Sequence, residues 1–182
     1  YFFDTDHQKQ DSATQSNDIT SDITTTTAPT AGEFETAILK SMEAIIGFVD
    51  DTNEPMNETA KSFLVMVPVP FMSAAAAAIG SEIIVDSSTS RTNRILTLGS
   101  LGGFTVELAV NARLTWTTKF ATFRTDAETK ALIRQEEEAV TVDALAEGSE
   151  EEFKNKRHLY GVKAIRNVGY GYWQRACLTT FV

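Results

Sequence analysis

Five consecutive alanines, Ala74 to Ala78, lie between an apolar run ending in prolines and a glycine, and no other stretch of the 182 residues narrows the fold as much. Residues 62–69 are apolar and partly β-branched, the pattern of a buried strand. Pro70 stands at a first helical position, where its missing N–H costs nothing. Residues 71–79 favour a helix, and Gly80 is a natural stop. A helix whose side chains are mostly methyl groups can lie close against a sheet. The segment therefore predicts a strand, a tight turn and a helix on that sheet.

A second helix is predicted upstream. Thr30 and Glu33 have capping-box spacing, and Phe34, Ile38, Met42, Ile45 and Val49 follow as one stripe with Leu39 and Ile46 beside it. Residues 50–58 form a polar turn containing Pro55. Ahead of the helix, ten of the 19 residues in 12–30 are Ser or Thr. Such a segment buries too little apolar surface to offset its ordering entropy, so it is expected to be a loop or arm ordered only by contacts.

Downstream the pattern turns to strands. Residues 94–98 and 104–112 read as two, the second alternating Phe104, Val106, Leu108 and Val110 on one face, with Gly99, Gly102 and Gly103 as the turn. Residues 114–124 read as another, with Trp116, Phe120 and Thr122 alternating, and 130–135 as a shorter one. Residues 136–152 form an acidic connection, and 148–156 can carry one helical turn. Residues 159–168 and 172–182 read as a hairpin around Gly169 and Gly171. The sum is an α+β fold, mostly antiparallel sheets plus two main helices.

The net charge of -9 is segregated along the chain. Residues 1–60 hold 12 acids and 2 bases, 61–125 hold 3 and 6, 126–152 hold 10 and 2, and 153–182 hold 6 bases and no acid. The acidity argues against tight binding of nucleic acid, which needs a dominant basic patch. Alternating signed blocks suit a subunit that meets complementary surfaces on its neighbours, or else solvated faces. No apolar run approaches the ~20 residues of a membrane helix. The single Cys177 excludes an internal disulfide.

Candidate chemistry is sparse. Asp4, Asp6 and His7 offer donors suited to a metal, but no second cluster supplies further ligands, and Asx-type turns explain them as well. His158 lies in the basic run Lys154-Asn155-Lys156-Arg157-His158, and a general-base role would need a nucleophile; Cys177, the one thiol, reads as a buried inert residue. Residues 99–103 resemble a phosphate cradle but lack its Gly-Lys-Ser/Thr ending, which favours a hairpin turn. Asn57-Glu58-Thr59 matches a glycosylation sequon by chance. Trp116, Tyr170, Tyr172 and Trp173 could stack bases, though at strand spacing they serve a core or interface. No catalytic, cofactor-binding or metal site is assigned.

Three stretches resemble one family. Phe2-Phe3-Asp4-Thr5-Asp6-His7 with Ser16-Asn17 looks like the segment after the spine helix of Mu-like phage head subunits. Leu64-Val65-Met66-Val67-Pro68, leading into the Ala-rich helix, is similar to the family's strand, turn and small-residue helix. Tyr160-Gly161-Val162-Lys163-Ala164-Ile165-Arg166-Asn167-Val168-Gly169-Tyr170-Gly171-Tyr172-Trp173-Gln174-Arg175-Ala176 closely resembles the C-terminal hairpin of Mu-like and related major capsid proteins. The resemblance implies the Hong Kong phage-type capsid fold, shared with the herpesvirus capsid floor. It implies an axial domain over residues 32–155, with 1–31 and 156–182 in the peripheral domain. An N-terminal arm, an extended β-loop and a spine helix are then expected before Tyr1.

The implied function is structural: a self-assembling head subunit of an icosahedral shell around double-stranded DNA, without enzymatic activity or cofactor. Implied partners are other copies of the chain, with scaffold, portal and decoration proteins, DNA enclosed without sequence-specific contact, and no membrane. The implied location is the virion, assembled in the host bacterial cytoplasm. An acidic wall would repel packaged phosphate. The alternatives are a phage-encoded oligomeric binding protein of similar topology and, more distantly, a metal-dependent enzyme using Asp4, Asp6 and His7.

Overall fold

In the computed structural model, which describes residues 1–8, 13–86 and 89–182, the chain forms two compact units. One comprises Tyr1–Ala131 with Gly171–Val182, the other Leu132–Tyr170. The expected domain borders at 31/32 and 155/156 fall inside these units.

The first unit is built on a five-stranded sheet. Its strands are β1 (Asp18–Ser21), β2 (Ser62–Val67), β5 (Thr105–Val110), β6 (Lys119–Arg124) and β9 (Ala176–Phe181), in the order β1-β9-β6-β2-β5. Two further strands, β3 (Ile83–Asp86) and β4 (Thr89–Thr92), form a separate hairpin. The β1/β9 and β2/β5 pairs are parallel, while β2/β6 and β6/β9 are antiparallel. Counting β3/β4 and the pair in the second unit, four of the six described pairings are antiparallel, so the α+β reading with mostly antiparallel sheets stands.

Helix α1 (Ala31–Gly47) starts as the sequence predicts. The Thr30 hydroxyl accepts from the Glu33 N–H, and the Glu33 carboxylate accepts from the Thr30 N–H at 2.9 Å. Phe34, Ile38, Met42 and Ile45 are buried, but the helix stops before Val49, and Phe48 fills the next buried place. After β2, Pro68 leads into a 3-10 turn (Val69–Phe71) and α2 (Met72–Gly80), whose Ala75 and Ala78 are fully buried. Both helices share one core with the sheet residues Phe63, Val65, Val67, Phe120, Cys177 and Phe181. Phe34 is its hub, with ring centroids 4.8 Å from Phe120, 5.3 Å from Phe181 and 5.8 Å from Phe71.

Four expectations change. Residues 94–98 are not a strand: α3 (Arg94–Gly102) is a helix, capped by Asn93, whose Oδ1 accepts the Ile95 N–H at 2.9 Å. Gly99 and Gly102 therefore belong to that helix, and Gly103, at φ 68°, is its left-handed cap; the stretch is neither a hairpin turn nor a phosphate cradle. The strand foreseen over 114–124 begins only at Lys119, because Asn111 closes an Asx turn on Arg113 at 2.9 Å. Residues 159–168 and 172–182 do not pair with each other. β8 (Leu159–Tyr170) belongs to the second unit, whereas β9 lies between β1 and β6. Residues 136–152 are not a connection but mostly strand: β7 (Leu132–Leu145) pairs antiparallel with β8, and α4 (Glu150–Asn155) follows β7.

The Ser/Thr-rich segment is ordered by contacts where described, and part of it is an edge strand; Ser12 lies outside the described residues. The Gln15 side-chain amide exchanges two hydrogen bonds with the Val49 backbone, at 2.9 and 3.1 Å. Lys40 donates to the Thr20 carbonyl at 2.6 Å. The Glu33 carboxylate also accepts from the Thr24 N–H at 2.7 Å. Burial alone would raise the Glu33 pKa; the backbone bonds from Thr30 and Thr24 and their hydroxyls outweigh it and hold it at about 2. A depressed carboxylate stabilises the fold above its unfolded pKa, and that stability is lost as pH falls from about 4.5 through about 2. Glu33→Gln is therefore expected to lower the urea midpoint at pH 7, with the gap to the parent closing by pH 2. A gap independent of pH would sink this assignment.

Candidate assembly surface

Several of the charges that the sequence offers to neighbours are used internally. In the first unit Asn57 is fully buried and organises a polar cluster. Its amide donates to the carbonyls of Ile45 and, at 2.9 Å, Gln174. Its Oδ1 accepts from both Arg124, at 3.0 Å, and Arg175. Arg124 also donates to Thr59 at 2.8 Å and Asp126 at 2.6 Å, and Asp126 accepts the Lys61 N–H at 2.8 Å. Burial, followed by the charge of Arg124, pushes the Arg175 pKa down. The sequon reading of Asn57 thus fails on access alone. Arg175 is not offered to a neighbour.

A second cluster joins α1 to α3 and β4. Glu35 has no exposed side-chain surface; it accepts the Arg94 backbone N–H at 2.6 Å and contacts the guanidinium groups of Arg91 at 2.5 Å and Arg94 at 3.1 Å. Burial opposes its ionisation, yet the bonds from Arg94 and Arg91 hold its carboxyl below the usual range. Residues 81–93 carried no sequence-based assignment, and the cluster could not be read from spacing.

The residues singled out for chemistry scatter. The His7 ring stacks on Trp173 at 4.1 Å, and its Nε2 lies 3.0 Å from Asn17 Oδ1. Asp4 uses its carboxylate on the Thr5 N–H at 2.9 Å, and Asp6 is exposed. Among the described residues no three His, Cys, Asp or Glu side chains are grouped to hold a metal. His158 pairs with Glu152 at 3.2 Å. Burial pushes the Cys177 thiol up to about 12, and it is fully buried. Tyr170 and Tyr172 lie in an exposed strand and just after it, while Trp173 packs on Phe48 at 5.1 Å.

The second unit is a different kind of surface. β7 and β8 form a two-stranded ribbon, and α4 connects their far ends. β7 lies within the acidic sequence block and β8 within the basic one. Lys163 pairs with Glu138 at 2.7 Å, Glu136 stands opposite Arg166, and Arg157 pairs with Glu151 at 2.6 Å near the tip. Two extra residues in β7, between Glu136 and Thr141, bulge the ribbon. Alternation along β8 puts Tyr160, Val162, Ala164, Arg166, Val168 and Tyr170 on one face with Leu132, Arg134, Glu136, Val142 and Ala144 from β7. Tyr160, Val162 and Val168 are 68%, 71% and 67% exposed. An isolated two-stranded ribbon is marginal in water, so this many exposed apolar side chains mark a contact surface.

The first unit is thus a mixed sheet sharing its core with two helices, and the ribbon is inserted in the chain between β6 and β9. The fold superposes over 91% of this chain on a solved structure described as the asymmetric unit of bacteriophage PhiM1 mature capsid, with a TM-score of 0.53 and 10% identity. The chain therefore has a phage capsid fold, and it spans 51% of the length of that capsid chain. Residues 108–180, covering β6, the ribbon and nearly all of β9, match the family model of the Mu-like prophage major head subunit gpT. No curated protein matches the sequence. The resemblance seen in residues 160–176 lies within the matched region, and both findings support it.

Proposed function

We propose that the chain acts as a major capsid subunit, a structural protein that self-associates into the icosahedral head enclosing the double-stranded DNA of a tailed phage or prophage. The observation that carries this is the joint agreement of the capsid fold with the head-subunit family match over residues 108–180. The exposed ribbon supports it, because a subunit that works alone has little use for so many exposed apolar side chains. In this reading the role is structural and non-enzymatic. Scaffold, portal and decoration proteins are further partners in this reading. DNA is enclosed without sequence-specific contact, and assembly takes place in the host bacterial cytoplasm.

The labels axial, for residues 32–155, and peripheral, for 1–31 and 156–182, belong to the same proposal. The compact units favour moving the border to the base of the ribbon, between 131 and 132 and between 170 and 171. The test is expression of the intact reading frame. Megadalton particles with regular shells by electron microscopy are expected; a product that stays monomeric at all concentrations overturns the proposal.

A further inference from the structure

The five-stranded sheet of the first unit ends in two unlike edges, β1 and β5. At β1 the outward backbone groups are largely taken. The Ser16 hydroxyl accepts from the Asp18 N–H at 3.3 Å and donates to the Asp18 carbonyl at 2.7 Å, while Lys40 donates to the Thr20 carbonyl at 2.6 Å. At β5 they are open. The Thr105 and Asn111 N–H groups donate to the carbonyls of Lys61 and Val67, so alternation turns the N–H and C=O of Val106, Leu108 and Val110 away from β2. Among the described residues β5 has no strand partner on that side. It carries no proline, lysine or bulge to guard the edge, and its one charge is Glu107.

Resting on the shell reading, we infer that two copies of this chain join their sheets through β5, antiparallel, across a two-fold axis at Leu108. An open edge takes an extended strand, and a second β5 supplies one. A two-fold along the strands would set N–H against N–H; with the axis perpendicular to the sheet, donors meet acceptors. Leu108 then faces its own copy and Val106 faces Val110, which uses every outward group. Glu107 stands opposite Ala109. Moving the axis to Glu107 would set the two carboxylates directly opposite, and moving it to Ala109 would carry Val106 past the end of the mate's strand. The ends of the edge agree with this reversal. Leu101, 83% exposed, precedes the start of β5, while Val69 and Met72, about half exposed, follow Val67, the register partner of Val110 at its end. Antiparallel pairing brings each start to the mate's end, so these apolar side chains cover one another.

The contact is weak alone. A six-residue edge buries far less than a stable interface, and the two Glu107 side chains lie one diagonal apart on the exposed face. Glu107 therefore acts as a gate: it keeps free copies apart, and the edges close when many copies are held at high local concentration.

Sedimentation equilibrium of the full chain tests this. Glu107→Gln is expected to tighten dimerisation about threefold or more. Adding Val110→Pro should remove the dimer, because proline there deletes an outward N–H and leaves the β2 bonds intact; Val110→Thr should keep it. Amide exchange at Val106 and Leu108 should slow as the Glu107→Gln dimer forms, a readout that needs no proline variant. An unchanged dimer constant in Glu107→Gln, or exchange at Val106 and Leu108 that ignores concentration, would overturn the pairing. Particle formation by the intact reading frame separates the two ideas. Normal particles carrying Val110→Pro overturn the pairing and leave the shell reading; Glu107→Gln dimers from a frame that never forms particles do the reverse.

Discussion

Phe34→Ala is expected to destabilise the protein by about 3–5 kcal/mol, the range for removing a buried aromatic from a packed core. Phe34 is fully buried, and its ring meets three other phenylalanines, one from the turn before α2 and two from neighbouring strands of the sheet. Alanine there leaves a void walled by Phe71, Phe120 and Phe181. These rings also touch one another, with centroids at 5.5 Å, and so cannot collapse far into the gap. The loss should appear as a lower urea midpoint at unchanged slope. Glu43→Ala, an exposed change on the same helix, should stay within about 0.5 kcal/mol. A Phe34→Ala cost below about 1 kcal/mol would mean that the core is not organised around this ring.

Asn57→Leu is expected to cost a similar amount, about 3–5 kcal/mol, for a different reason. The asparagine oxygen is the shared acceptor between the Arg124 and Arg175 guanidinium groups, and its amide serves two carbonyls. Leucine fills much of the volume but leaves two largely buried cations facing each other, with Asp126 bound directly to only one of them. Breaking a buried charged cluster from one side costs this much because the remaining charges stay desolvated. Asn57→Asp tests the account: it answers the cations but sets a carboxylate against the carbonyls of Ile45 and Gln174. It should recover only part of the loss. A double-mutant cycle with Arg124→Met should show coupling above about 1 kcal/mol; additive losses would separate the two residues energetically.

What could be read from the sequence followed the range of the forces involved. Helix α1 was legible because its cap and apolar stripe are both local, and α2 because alanine and a terminal glycine leave little choice. Helix α3 was not, since residues 94–98 read as a short apolar strand. Its start is fixed from afar: Glu35, on another helix, accepts the Arg94 N–H, and Asn93 is itself held by the carbonyls of Ala78 and Ser81 at 2.7 and 2.8 Å. The acidic stretch 136–145 hid a strand because both faces of the ribbon meet solvent, which removes the apolar alternation that usually marks one. The complementary charge blocks were visible. That they pair within one chain, as Lys163 does with Glu138, depends on a strand register that the sequence does not state.

The position of β9 bears on when this protein can fold. Residues 176–181 insert between β1 and β6, so until they leave the ribosome β1 has no neighbour and β6 keeps one bare edge. Closing the sheet joins segments about 160 residues apart, such as Asp18 with Leu178, and pairings at that separation form slowly. During synthesis the nascent chain therefore carries unpaired strands, which draw copies together prematurely. A chaperone that holds the unfinished sheet would act in this interval.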